Sequence, residues 1–61
     1  MKVSELEKLL RKQGIIFYSH GTRHDWWINP VNGNRTQIPR HRSKEIPNGT
    51  KEKILKDLGL K

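Results

Sequence analysis

Leu6, Leu9 and Leu10 recur at the i, i+3, i+4 spacing of one helical face, while Glu5, Lys8, Arg11 and Lys12 are left for water. The spacing predicts a helix over residues 4–13. Ser4 and Glu7 stand three apart, as in a capping box, and Gly14 can take the left-handed conformation that stops a helix. Ile15-Ile16-Phe17-Tyr18-Ser19-His20 is rich in β-branched and aromatic residues and ends at a glycine, which predicts a strand. Gly21-Thr22-Arg23 is short enough for a hairpin connection into a second strand over residues 24–29. Period-two alternation puts His24, Trp26 and Ile28 on one face and Asp25, Trp27 and Asn29 on the other. Each face carries one tryptophan, so the alternation leaves open which face is buried.

Pro30-Val31-Asn32-Gly33 holds the residue types that reverse a chain, and Arg35 to Ile38 forms a third strand that Pro39 ends. Arg40 to Gly49 is basic, polar and punctuated by Pro47 and Gly49, an irregular crossover. Asn48 or Thr50 is the expected cap of a second helix, with Ile54, Leu55 and Leu58 as its apolar stripe and Gly59 at its end. The chain is thus expected to be one domain over residues 1–61, of class α+β and order α-β-β-β-α. Its three-stranded antiparallel sheet carries both helices on one face and leaves the other face, or its rim, to a partner.

Composition narrows the function classes. A chain of 61 residues with no cysteine rests on one small apolar core, since a domain this size buries only about 60% of its unfolded surface. No window approaches the roughly 20 apolar residues of a membrane span, and Met1-Lys2-Val3-Ser4-Glu5 lacks the apolar run of a secretory signal. The expectation is a cytoplasmic protein with no membrane partner. The net charge of +7 predicts affinity for a polyanion, either nucleic acid or an acidic protein.

Nucleophilic catalysis through a side chain has little support, because there is no cysteine, no serine elbow and no glycine-rich phosphate loop. His20, His24 and His41 lack the carboxylates and fourth ligand of a zinc site, so no metal or cofactor is assigned. What remains is a histidine among arginines: His24 beside Arg23, followed by Arg35, Arg40, His41 and Arg42. RNA carries its own nucleophile, the 2′-hydroxyl, so cutting it needs a base for that proton and cations for the crowded phosphorane. Histidine, with an unperturbed pKa of about 6.5, suits the first task, and arginine, always charged and forked, suits the second. The plainer readings are an exposed histidine, solvated arginines and tryptophans that belong to the core or a partner contact. They lead to two rivals, a non-catalytic small basic RNA-binding domain and a basic face that only docks an acidic protein.

Gly21-Thr22-Arg23-His24, Ile38-Pro39-Arg40-His41 and the closing run from Asn48-Gly49-Thr50 to Leu58-Gly59-Leu60, in this element order, resemble the HicA toxins of HicAB toxin-antitoxin modules. The family's glycine-serine-histidine-histidine run falls on Gly21 to His24. The serine is replaced by Thr22, which keeps a hydroxyl, and the first histidine by Arg23, which keeps a donor. The resemblance implies a fold like that of double-stranded RNA-binding domains and a stress-response toxin of type II systems, a metal-independent mRNA interferase. It places the family's catalytic histidine on His24, expected to act as general base or acid, and the basic stretch around it puts Thr22, Arg23, Arg35, Arg40, His41 and Arg42 forward as the RNA-binding residues. It also implies an acidic HicB-like antitoxin that covers His24.

Overall fold

In the computed structural model, which describes residues 1–61, the leucine stripe folds as helix α1 (Val3–Lys12). Its start differs from the expected capping box. The Lys2 amide donates to Glu5 Oε1 at 2.8 Å, so the reciprocal carboxylate is Glu5 and not Glu7. The first helical amides, Val3 and Ser4, donate to the Lys44 and Arg42 carbonyls at 2.9 and 3.0 Å. The crossover therefore does the work assigned to the Ser4 hydroxyl, and Glu7 is free to turn inward beside Arg11 and Arg42.

Strands β1 (Ile16–His20), β2 (His24–Ile28) and β3 (Arg35–Pro39) form an antiparallel sheet of order β1-β2-β3, and helix α2 (Asn48–Asp57) follows. Neither Asn48 nor Thr50 caps α2: Pro47 holds the extended cap position and Asn48 is already helical. A proline there has no N–H to lose, so it suits a helix start. Gly14 and Gly59 take φ of +83° and +76°, closing the two helices.

Val3, Leu6 and Leu10 from α1, Ile54 and Leu55 from α2, Leu58 just beyond it, and Ile15, Trp27, Ile38 and Ile46 form the core. Burying each contributes about 1.5–3 kcal/mol. Trp27, Thr36 and Ile38 are buried on the sheet face that the helices cover, and this settles which tryptophan goes inside. The Arg11 guanidinium caps the Trp27 ring at 5.3 Å, and Phe17 meets it edge-on at 6.2 Å. Trp26, one residue away, belongs to the uncovered face.

Two features of the pairing escape the local pattern. A bulge between Phe17 and Ser19 shifts the β1–β2 register, and the crossover is stitched to the N-terminus. The Ile46 amide donates to the Met1 carbonyl at 2.7 Å, and the terminal ammonium meets Glu45 at 3.0 Å. These bonds bury Ile46 in a stretch whose polarity gives no hint of a core residue. The Cα radius of gyration is 10.4 Å, close to the about 10.5 Å of a compact chain of this length.

Candidate active site

His24 opens β2, with Pro39 as its partner on β3. Its backbone is set by the hairpin before it, where the Gly21 amide donates to the His24 carbonyl at 2.8 Å. A Cβ on Gly21 would collide with that carbonyl, so only glycine permits so close an approach.

Alternation then turns the imidazole to the uncovered face, where it is half-buried in a cleft of about 430 Å³ wrapped around the β3 edge. Trp26, Arg35 and Gln37 line the cleft from the sheet, and Thr50, Lys53, Ile54 and Asp57 line it from α2. The helix residues follow an i, i+3, i+4, i+7 stripe, so one face of α2 forms the second wall. Asp57 is engaged within that wall, by the Thr36 hydroxyl at 3.4 Å and Lys53 at 3.8 Å.

Of the residues the sequence put forward for catalysis or RNA binding, the fold brings only His24 and Arg35 into this cleft. Thr22 and Arg23 are exposed at the hairpin tip, and His41 is exposed on the crossover. Arg42 lies 3.7 Å from the Glu7 carboxylate, drawn toward α1. Arg40 is also committed: its Nε donates to Asp25 at 3.1 Å and its Nη2 to the Gly21 carbonyl. Three of the five arginines thus face carboxylates, and Arg23 and Arg35 do not.

Beside the cleft, on the opposite side of β2, the same Asp25 oxygen accepts from the exposed His20 imidazole at 2.9 Å. The His20 hydrogen bond holds the Asp25 carboxyl below its ordinary value of 3.8; partial burial opposes this, and Arg40 adds to it. This cluster ties the ends of all three strands to the hairpin that precedes His24. No sequence signal marked it, because His20, Asp25 and Arg40 meet only through strand pairing. Trp26 and Gln37 were legible in principle, since alternation places them on the faces of His24 and Arg35. The α2 stripe was legible as a helix face, but nothing local aimed it at β3.

A family described as the HicA toxin of bacterial toxin-antitoxin systems matches residues 3–60. The chain is 44% identical over 61 residues to a probable mRNA interferase HicA 2 of Photorhabdus laumondii, with both proteins covered in full. It is 38% identical to a probable mRNA interferase HicA of Pseudomonas fluorescens, covering 100% of this chain and 98% of that protein. Among solved structures, a chain of the E. coli HicAB toxin-antitoxin complex superposes with a TM-score of 0.84 at 35% identity, over 98% of this chain and 100% of that one.

Proposed function

This chain belongs to the HicA toxin family, and from that premise we propose that it is a metal-independent endoribonuclease toxin that cuts mRNA with His24 as general base. The observation that carries the reading is that a half-buried imidazole, His24, and an arginine with no carboxylate partner, Arg35, line one cleft of a +7 protein. His24 takes the proton of a ribose 2′-hydroxyl, the 2′-oxygen bonds to the adjacent phosphorus, and the bond from phosphorus to the 5′-oxygen breaks. The 5′-oxygen leaves with a proton taken from water, His24 later returns its own proton to solvent, and the upstream fragment ends in a 2′,3′-cyclic phosphate. Arg35 and the newly formed imidazolium offset the charge of the phosphorane, which is where positioned cations act most strongly. Thr22 and Arg23 at the hairpin and His41 on the crossover are exposed and meet flanking phosphates directly, while Arg40 and Arg42 contribute only by sharing their charge with Asp25 and Glu7. An acidic antitoxin of the HicB kind is the partner that suits this surface, and by covering the cleft it keeps RNA from His24.

Removing a positioned general base lowers a rate by about 10² to 10⁴. The test is His24→Ala in purified form, incubated with labelled RNA in EDTA. Wild type is expected to release cyclic-phosphate ends and the variant to lose them while melting at the wild-type temperature. Cleavage by the variant at the wild-type rate refutes the assignment, and RNA binding without any cleavage by wild type leaves a binding domain instead.

A further inference from the structure

The sheet face away from the helices carries exposed apolar and aromatic side chains among its polar ones. Ile16 and Tyr18 are 52% and 51% exposed on it, and Trp26 lies at its centre between Ser19 and Gln37. Trp26 and Arg35 line the His24 cleft and also a second one of about 600 Å³, whose other walls include Tyr18, Ser19 and Asn34. The two clefts therefore meet along these side chains. The Arg35 guanidinium sits 5.2 Å over the Tyr18 ring, which fixes a cation against an aromatic without consuming its charge.

Resting on the reading of His24 as the base, we propose that this face is a subsite for unpaired nucleobases and restricts the substrate to single-stranded RNA. The Trp26 indole stacks the base next to the reacting ribose, and the Tyr18–Arg35 pair holds the following nucleotide. His24 and Trp26 are two residues apart on one strand face, about 6.7 Å along it, so one sugar and its neighbouring base occupy both. Stacking needs a free base face. A duplex keeps its bases stacked on one another and presents only backbone, so it cannot fill this platform. The amide and hydroxyl groups of Gln37, Asn34 and Ser19 around the rings suit base edges. The uncompensated charge of Arg35 suits a phosphate better than it suits an apolar protein surface.

The experiment uses the full chain carrying His24→Ala, with a random pool of short oligoribonucleotides, single-stranded or annealed to its complement. Binding is read by anisotropy and by tryptophan fluorescence. Stacking on one ring corresponds to about 5- to 150-fold in affinity. Trp26→Leu is expected to lose that factor for single strands, whereas Trp26→Phe keeps most of it. Trp27 is buried, so RNA should quench the fluorescence of the parent but not that of Trp26→Phe. Tyr18→Leu, at an exposed position, repeats the affinity test without touching the sheet interior. Equal affinity for duplex and single strand, or unchanged binding in both leucine variants, overturns the proposal and leaves the face to a protein partner. RNA found cut by the His24→Ala protein would instead refute the assignment of His24, an outcome that a gel distinguishes from a failure of stacking.

Discussion

Replacing Asn29 with alanine isolates the contact that joins the sheet to the end of the last helix. The Asn29 side chain is buried; its Nδ2 donates to the Leu58 carbonyl at 2.9 Å and its Oδ1 accepts from the Val31 amide at 3.0 Å. Losing a buried hydrogen bond costs about 1 kcal/mol, and leaving the partner unsatisfied costs about 1–3 kcal/mol. The Val31 amide can turn to water. The Leu58 carbonyl keeps one longer donor, Asn32 Nδ2 at 3.3 Å, which spares part of the penalty. The sum is about 2 kcal/mol. At roughly 0.05–0.15 kcal/mol per residue the whole domain has about 3–9 kcal/mol, so this one amide is a large share of it. Urea unfolding followed by tryptophan fluorescence should show a lower midpoint at unchanged slope, with Tm down by about 8–16 °C. Asn29→Ala combined with Asn32→Ala should cost more than the sum of the two, because only then is the Leu58 carbonyl orphaned. A loss below about 0.5 kcal/mol for Asn29→Ala, or strict additivity in the pair, would refute the reasoning.

Two further outcomes test the device that holds His24. Asp25 has a folded-state pKa lowered mainly by His20, so its stabilisation is present above about pH 4 and is lost as pH falls through the folded value. Asp25→Asn should therefore cost about 1 kcal/mol at neutral pH, since His20 and Arg40 are largely exposed. The gap in urea midpoints should be full at neutral pH and narrow progressively as pH falls below about 4, and a gap that does not narrow with acidification would show that the carboxylate charge contributes nothing. Gly21→Ala forces the hairpin away from the His24 carbonyl; misplacement of a reacting group by about 1 Å costs up to about 10²-fold in rate. Single-turnover cleavage should fall by at least about tenfold, and wild-type rates would mean that the hairpin does not set the imidazole.

Much of this protein is local and can be read from neighbouring residues. The Leu6 and Leu10 spacing, the strand segments, the glycine at each helix end and the basic excess specify element order without reference to anything distant. The motif from Gly21 to His24 likewise marks the region of the candidate site. Alternation, however, has parity without sign: it separates Trp26 from Trp27 and His24 from Asp25 but cannot say which set faces the helices. That choice belongs to packing, because the sheet face opposite the stripes of α1 and α2 must supply Trp27, Thr36 and Ile38 to the core. Once Trp27 is inside, His24, Trp26 and Arg35 are obliged to share the other face, and the cleft exists.

Pairing across the chain decided the remaining charges. Arg40 and Arg42 look equivalent to Arg35 in a linear reading, yet Asp25 and Glu7 reach the first two and no carboxylate reaches the third. An ion pair depends on distance in space, and the carboxylates involved lie 15 residues before Arg40 and 35 before Arg42. The sequence alone thus determined which residue types were available to hold and cut a polyanion. Tertiary structure decided which of those groups face one cleft and remain unpaired, because Coulomb energy and packing act between neighbours in space that the order of residues does not name.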